Sequence, residues 1–174
     1  MYHLVPITES RLPELLALSE RIWLPAFAPL FDREKLLSLY RGMYSRPVLT
    51  AWMARQGCTL YFICRKGSDE NTPQTEEQPI GYLATELTGT TLKLDKIYVD
   101  PTLQSKGIGS RVMDMTVEKA LDGGASEIIL RVNRRNDRAI AFYLRCGFEI
   151  TRKEDFPAPD GYVYDDFLMT KKLS

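Results

Sequence analysis

Residues 104–110 read Gln-Ser-Lys-Gly-Ile-Gly-Ser and lie between a strand-like run, 94–99, and a helix-like run, 111–121. Glycines where a helix begins let the backbone approach a ligand closely, because glycine has no Cβ. The first turn of a helix has N–H donors without internal partners and the positive end of the helix dipole, so it suits an anion. Lys106 adds a full positive charge. The segment predicts a phosphate-binding loop, although a plain helix start with glycines serving the turn explains the same residues.

Two common phosphate-binding motifs do not fit this loop. A dinucleotide-binding fingerprint needs a third glycine three residues after Gly109, where the chain has Val112. A P-loop ends in Gly-Lys-Ser or Gly-Lys-Thr, and neither triplet occurs in the chain. Taken alone, the loop leaves the phosphate interpretation and the plain-turn interpretation about equally supported.

A second segment, residues 136–148, predicts a helix with clear ends. Asn136 is a good N-cap and Gly147 is a natural residue to follow the last turn. Ile140, Tyr143 and Leu144 fall on one helical stripe, which predicts that they face the core. By this pattern alone, Tyr143 is an ordinary amphipathic aromatic of the core.

Together the two segments resemble the acetyl-CoA signature of the GNAT superfamily of N-acetyltransferases. The matching pattern is Gln104-x-x-Gly107-x-Gly109 followed by Asn136-x-x-Ala139-x-x-Phe142-Tyr143-x-x-x-Gly147-Phe148. The resemblance covers at least residues 82–173. It implies an α/β fold of the α+β mixed-sheet type, a GNAT-like acyl-CoA N-acyltransferase fold. The expected sheet has about seven strands, with a splay between the fourth and fifth and helices on both faces.

The resemblance also implies acetyl-CoA as the cosubstrate, with its pantetheine arm between the strands 91–99 and 128–132. Main-chain groups of the first strand would bind this arm and so replace ladder hydrogen bonds lost at the splay. The pyrophosphate would lie on the N–H groups of the loop. The cofactor-binding residues implied in this way are Ile97, Tyr98, Val99, Gln104, Ser105, Lys106, Gly107, Ile108, Gly109, Ser110, Asn136 and Tyr143.

The implied chemistry is direct transfer of an acetyl group to an amine in a ternary complex. A primary amine with a pKa of about 10.4 must lose a proton, and the leaving thiolate must gain one. Tyr143, with a reference pKa of about 10, is protonated at neutral pH and can be the acid, a role that tyrosine at this motif position commonly has in the superfamily. Glu86, Asp95 or a water chain is the expected proton acceptor, although a strand carboxylate is usually just solvated. A backbone N–H of Val99 or a neighbour would polarise the acyl carbonyl.

The acceptor amine is suggested by an acidic segment and by a closer resemblance. Residues 154–166 contain five acids and no base, which indicates either a solvated loop or a mouth that attracts a cation. The whole chain resembles the bacterial spermidine/spermine N-acetyltransferases, and aromatic residues 22–31 occupy the place where GNAT enzymes line the acceptor pocket. We therefore expect a polyamine acceptor. A protein N-terminus, another small amine, or a non-catalytic acetyl-CoA-binding regulator remain alternatives.

Composition sets wider limits. The 174 residues, 44% of them hydrophobic and 26% charged, predict a single domain over residues 1–174. Zero net charge without a basic tract argues against nucleic acid, and no apolar run is long enough to span a membrane. Three cysteines without a close pair favour free thiols in the cytoplasm over disulfides or a metal site. The only histidine, His3, argues against a histidine-based catalytic site, and a homodimer stays open.

The hydrophobic pattern predicts the order β-α-α-β-β-β-α-β-α-β-β. The first helix is expected to end at Trp23 because Pro25 follows, and the second to run from Asp32 to about Tyr44. Residues 67–79 predict a long polar hairpin loop. The expected inner stripe of the first helix is Leu12, Leu15, Leu16, Ser19, Ile22 and Trp23.

Overall fold

A computed structural model describes residues 2–65, 78–103, 107–157 and 163–173. The first part of the chain forms β1 (Tyr2–Pro6), α1 (Leu12–Phe27), α2 (Arg33–Met43), α3 (Arg46–Met53), β2 (Cys58–Arg65), β3 (Gln78–Thr88) and β4 (Thr91–Val99). The second part forms α4 (Ile108–Asp122), β5 (Glu127–Asn133), α5 (Asp137–Arg145), β6 (Glu149–Pro157) and β7 (Val163–Lys172). Short 3₁₀ turns at Glu9–Arg11 and Pro101–Leu103 precede α1 and follow β4.

The seven strands form one mixed sheet in the order β1-β2-β3-β4-β5-β7-β6. Strands β4 and β5 are parallel, whereas β7 is antiparallel to both β5 and β6. The register of the parallel pair runs from Thr91↔Glu127 to Leu94↔Leu130, although β4 continues to Val99 and β5 to Asn133. A splay between β4 and β5 stays a prediction. The predicted mixed sheet of about seven strands is confirmed.

The chain divides into two compact units, Met1–Thr85 with Lys96–Met115, and Glu86–Asp95 with Thr116–Ser174. Each unit has its own buried apolar side chains. Those of the first unit include Leu12, Leu15, Ile22, Trp23, Phe62, Ile63, Tyr82 and Leu83. Those of the second include Leu92, Leu94, Ile128, Leu130, Phe148 and Met169. A single domain over residues 1–174 stays a prediction.

Helix α1 continues past Pro25, so the prediction that this proline ends the helix is wrong. A proline lacks the N–H that would bind the carbonyl four residues earlier, but it removes only that one bond. The next turn closes, since the Ala28 N–H donates to the Leu24 carbonyl at 2.9 Å. Stacking of Trp23 on Phe27, with ring centroids 4.4 Å apart, holds the last turn in place. On the inner stripe, Leu18 is buried where Leu16 was expected.

Helix α3 is absent from the element order expected from sequence. It begins after Ser45, has a proline in its first turn and buries Leu49. These are ordinary signals of a helix start, so the pattern contained the information. Helix α2 agrees with expectation, because Asp32 caps it by accepting the Lys35 N–H at 2.9 Å.

Other differences concern loop ends and one helix face. Of the expected loop 67–79, Gln78 and Pro79 belong to β3, and the rest lies outside the described residues. Leu144 is 48% exposed, so its place on the inner stripe of α5 is wrong.

The described residues show no helix with the length and apolar character needed to cross a bilayer. Within the same ranges, no three or more His, Cys, Asp or Glu side chains are grouped so that they could hold a metal ion. Cys58, Cys64 and Cys146 are free thiols.

Gly81 marks a very close approach of β3 to β4. A Cβ added at Gly81 would lie 2.3 Å from the Tyr98 carbonyl oxygen and 3.0 Å from the Val99 Cα, and both are backbone atoms. Since backbone atoms cannot move as a flexible side chain does, a larger residue at Gly81 would shift the end of β4.

We expect Gly81→Ala to lower the free energy of unfolding by roughly 1–3 kcal/mol, the usual cost of overpacking. The matched control is Gly42→Ala in α2, where an added Cβ meets nothing within 4 Å among the described residues. That variant should gain about 0.5–1 kcal/mol, because glycine is a poor helix former. Denaturant titration measures both. Equal stability of the two variants would contradict the close approach.

Candidate functional site

The start of α4 has the backbone geometry expected of an anion-binding turn. Gly107 has a φ of +107°, a left-handed value that favours glycine, and α4 begins at the next residue. The Arg111 N–H donates to the Gly107 carbonyl at 2.9 Å and so makes the first i→i−4 bond. The amides of Ile108, Gly109 and Ser110 precede this bond and have no acceptor within the helix. Gln104, Ser105 and Lys106 lie outside the described residues.

Asp100 fixes the turn through which the chain leaves β4. Its Oδ1 accepts the Thr102 N–H at 2.9 Å and the Thr102 hydroxyl at 2.6 Å. Its Oδ2 lies 3.0 Å from Nη2 of Arg21 on α1, and the Asp100 side chain is only 8% exposed. The hydrogen bonds from Thr102 lower the pKa of Asp100, while burial opposes this effect and Arg21 adds to it. The carboxylate is therefore ionised at neutral pH and anchors the turn at three points.

Ile97, Tyr98 and Val99 are half-buried at the end of β4. The Tyr98 ring belongs to an aromatic cluster of the first unit, in which its centroid lies 5.3 Å from that of Tyr82 and 6.1 Å from that of Phe27. The cluster consists of Trp23, Phe27, Tyr40, Tyr44, Tyr82 and Tyr98. The cofactor contacts expected for Ile97, Tyr98 and Val99 involve main-chain groups, so this side-chain packing is compatible with them.

Hydroxyl groups in the cluster pair with one another. The Tyr44 and Tyr82 hydroxyls are 2.8 Å apart, and Ser19 Oγ lies 2.8 Å from the Tyr40 hydroxyl. Burial raises the pKa of Tyr82 well above its ordinary value and, to a smaller extent, that of Tyr40. Both tyrosines are therefore protonated at neutral pH, and neither is suited to be a general base.

The cluster also holds a primary ammonium group. Nζ of Lys96 lies 5.7 Å from the centre of the Tyr44 ring, within the range of a cation–π interaction. Phe27, Tyr40 and Tyr98 are half-buried, whereas Trp23 is only 3% exposed. Of the aromatic residues expected to line an acceptor pocket, Trp23 therefore packs as a core residue.

Asn136 and Tyr143 lie in the second unit, on α5. The Asn136 side chain accepts the Ala139 N–H at 3.1 Å, so the predicted N-cap is confirmed. Tyr143 is half-buried, and its ring centroid lies 5.3 Å from that of Phe142 and 5.7 Å from that of Phe148. Neighbouring rings therefore fix the orientation of the Tyr143 phenol.

The two carboxylates expected as proton acceptors differ in their surroundings. Asp95 forms an ion pair with Lys93 at 2.9 Å, and its side chain is 20% exposed. Glu86 is half-buried at the end of β3. Because Lys93 already engages Asp95, a structural role suits Asp95 better than proton transfer.

The acidic segment is largely neutralised by arginines. Glu154 lies 2.5 Å from Nε of Arg131 and 2.6 Å from Nη2 of Arg152, and these hydrogen bonds, the one from Arg131 above all, hold its pKa below the ordinary value. Asp155 pairs with Arg134. An open depression of about 490 Å³ beside them is lined by acidic and basic residues alike, Arg131, Lys153, Glu154 and Asp155.

Asp165 and Asp166 complete the described part of this segment. Asp165 accepts the Asn133 amide N–H at 2.9 Å and lies 3.7 Å from Nε of Arg135. Burial and then the nearby Asp165 raise the pKa of Asp166. Asp160 lies outside the described residues. Most of the arginines that pair with these acids lie in residues 131–135, beside β7. A count of acids along residues 154–166 therefore overestimates the negative electrostatic potential of the segment.

A family model described as the acetyltransferase (GNAT) family matches residues 24–148. This match spans more than half of the sequence and includes both the start of α4 and Tyr143. The chain belongs to the acetyltransferase (GNAT) family.

Individual GNAT proteins are similar to parts of the chain. An uncharacterised N-acetyltransferase of Mycobacterium bovis is 30% identical over 82 residues, which are 47% of this chain and 52% of that protein. A peptidyl-lysine N-acetyltransferase of Escherichia coli is 34% identical over 79 residues, 45% of this chain and 48% of that protein. The chain thus spans about half the length of these curated relatives.

A solved GNAT structure shares the fold over the whole chain. The PaiA N-acetyltransferase of Thermoplasma acidophilum, in complex with coenzyme A, has a TM-score of 0.76 over 99% of both chains at 20% identity. The predicted GNAT fold is confirmed.

Three residues of this GNAT chain were missed by sequence reasoning. Asp100 had a local signal, because Asp-Pro-Thr directly after a strand is a typical turn in which the aspartate accepts backbone N–H groups. No local sequence signal pointed to its partner Arg21, because the ion pair depends on how α1 packs against the turn. Gly81 reads from sequence only as a weak point in a strand.

We expect Asp100→Ala to weaken acetyl-CoA binding by roughly 10–100-fold, because the turn loses charge-assisted hydrogen bonds worth about 1.5–3 kcal/mol and binding must restore its order. Asp32→Ala is the matched control, since it removes a capping aspartate of the same unit. It should cost about 1 kcal/mol of stability and leave the affinity unchanged. Calorimetric titration measures both affinities. Equal affinities would show that Asp100 does not shape the cofactor site.

Proposed function

We propose that this protein is an acetyl-CoA-dependent N-acetyltransferase that moves an acetyl group directly to a primary amine in a ternary complex. The observation that carries the proposal is the GNAT family match over residues 24–148. Acetyl-CoA supplies an activated acetyl thioester when it is bound. Gly107 and the first amides of α4 suit its pyrophosphate, because their geometry leaves N–H donors for an anion.

The remaining contacts of the cosubstrate are assigned by resemblance. Main-chain groups of Ile97, Tyr98 and Val99 would hold the pantetheine arm, and the N–H of Val99 or a neighbour would polarise the acyl carbonyl. The loop residues Gln104, Ser105 and Lys106 would complete the pyrophosphate site, and Asn136 and Tyr143 would contribute from α5.

Two proton transfers are required of the chain. At neutral pH about 3.4 pKa units separate an alkylammonium from its nucleophilic form, which corresponds to roughly 4.6 kcal/mol. Glu86, Asp95 or a water chain is the proposed acceptor, and Asp95 is paired with Lys93. Tyr143 Oη holds a proton at neutral pH and is the proposed donor to the leaving sulfur.

For the acceptor we propose a polyamine such as spermidine or spermine. The support is the resemblance of residues 92–99, 104–109, 136–148 and 166–173 to the spermidine/spermine acetyltransferases. The electrostatic argument for a polyamine is weaker, because Glu154, Asp155 and Asp165 are already paired with arginines. Half-buried aromatic rings offer another means of recognition, since the cluster already holds the Lys96 ammonium over Tyr44.

A lysine side chain is the alternative acceptor. The peptidyl-lysine N-acetyltransferase of Escherichia coli is 34% identical to this chain over 79 residues. A lysyl side chain and a polyamine share a primary ammonium on an alkyl stem, so one aromatic site would accept either.

We expect Tyr143→Phe to lower kcat by about 10²–10⁴-fold while the affinity for acetyl-CoA changes little, because only the proton donor is removed. Release of free CoA thiol measures kcat, and calorimetry measures the affinity. Tyr61→Phe on β2 removes a tyrosine hydroxyl elsewhere and is the matched control. If the Tyr143→Phe enzyme keeps more than half of the wild-type kcat, Tyr143 is not the proton donor and serves only in packing.

An amine panel tests the acceptor. We expect kcat/KM to be higher for spermidine than for butylamine or an N-terminally blocked lysine peptide, and to fall only slightly with added salt. The salt effect should be small because Glu154, Asp155 and Asp165 already have arginine partners, and exposed charges are screened over ~8–10 Å. Preference for the lysine peptide would favour the alternative acceptor. Acetyl-CoA binding without transfer to any amine would indicate a regulator.

A further inference from the structure

A lysine from β7 closes the C-terminal end of α5. Nζ of Lys171 donates to the carbonyl of Cys146, the residue that follows the last turn, at 2.8 Å. The last carbonyls of a helix lack partners within the helix and form the negative end of its dipole. An ammonium group at this point therefore supplies both a hydrogen bond and a favourable charge.

The residue after Cys146 leaves space for this ammonium. Gly147 has a φ of +82°, and a Cβ added there would lie 2.8 Å from Lys171 Nζ. The left-handed glycine lets the chain turn back, so that the Phe148 N–H donates to the Tyr143 carbonyl at 3.0 Å. Lys171 and Gly147 thus form one closure at the end of the helix.

Tyr143 is part of this closed turn. Its carbonyl accepts the Phe148 N–H, and its ring meets the edge of the Phe148 ring at a centroid distance of 5.7 Å. Phe148 itself is only 2% exposed, which makes it a fixed support. Both the backbone and the ring of Tyr143 therefore depend on how the chain leaves α5.

Helix α5 is short and only partly buried. It has nine residues, and none of its side chains is fully buried. A helix this short is only marginally stable by itself, so it depends on the packing of its half-buried side chains and on the caps at its two ends. Asn136 caps the start, and Lys171 caps the end.

We propose that Lys171 is a positioning residue for Tyr143: its ammonium closes the last turn of α5 and so holds the phenol in its catalytic orientation. This inference rests on the proposed role of Tyr143 as proton donor. The chain provides an internal control, because Lys172 is the next residue, is 80% exposed and pairs with Glu127 instead.

The test compares Lys171→Met with Lys172→Met. Each change removes an ammonium and keeps most of the alkyl chain. In Lys171→Met, hydrogen exchange of the Phe148 amide should accelerate, and kcat should fall by roughly 10–100-fold at unchanged KM for acetyl-CoA, the order of loss expected from a misplaced catalytic group. Lys172→Met should leave both quantities at wild-type values. Lys171→Arg should restore most of kcat, because it keeps the charge and the donor.

A double variant shows whether Lys171 acts through Tyr143. If it does, Lys171→Met combined with Tyr143→Phe should be no slower than Tyr143→Phe alone. A double variant slower by the full Lys171→Met factor would overturn the proposal, and so would an unchanged kcat in Lys171→Met. Should Lys171→Met fail to fold, Lys171→Gln, which keeps a donor without the charge, takes its place under the same criteria.

The two proposals fail in different ways. Wild-type kcat in Tyr143→Phe would refute Tyr143 as the proton donor and, with it, the catalytic part of the Lys171 proposal. Phe148 exchange that is the same in Lys171→Met and Lys172→Met would refute the closure of α5, whatever Tyr143 does.

Discussion

The need of every backbone N–H and C=O for a partner is the constraint on which this structure depends. Helices α2 and α5 meet it at their starts with side chains, since Asp32 and Asn136 each accept a backbone N–H of the first turn. Helix α4 follows Gly107, which has no side chain with which to cap it. The amides of Ile108, Gly109 and Ser110 have no acceptor within the helix, and we propose an anion as their partner. Because glycine has no Cβ, Gly107 leaves room for a ligand to approach these amides.

The end of β4 is ordered by contacts on two sides. Asp100 ties the exit of β4 to Thr102 and to Arg21 on α1. Gly81 lets β3 approach the Tyr98 carbonyl, since an added Cβ would lie 2.3 Å from that oxygen. A ligand that binds to preformed N–H groups loses less free energy to ordering the protein. We propose that these contacts act on cofactor affinity rather than on the chemistry of transfer.

Local signals made the fold and part of the site predictable from sequence. The caps of α2 and α5 and the glycines at 107 and 147 are read from neighbours in the chain, and all four agree with expectation. The failures have different causes. Pro25 stays inside α1, where a proline removes only one hydrogen bond and Trp23 stacks on Phe27 across it. Helix α3 had ordinary local signals that were missed. The negative charge of Glu154, Asp155 and Asp165 is offset by arginines on and directly after β5. The sequence of one segment does not show which residues a neighbouring strand places beside it.

The charged and aromatic groups of each unit bear on the proposed acceptor. In the first unit the polar groups of the aromatic cluster are mainly tyrosine hydroxyls, and burial raises the pKa of Tyr82 and Tyr40, so both stay neutral. In the second unit the carboxylates Glu154, Asp155 and Asp165 are matched by arginines. Neither arrangement favours a large net cation through long-range attraction. In the function proposed above, an amine would be recognised by short-range contact of its alkyl stem and ammonium with aromatic rings, which would distinguish substrates by shape and stem length more than by total charge.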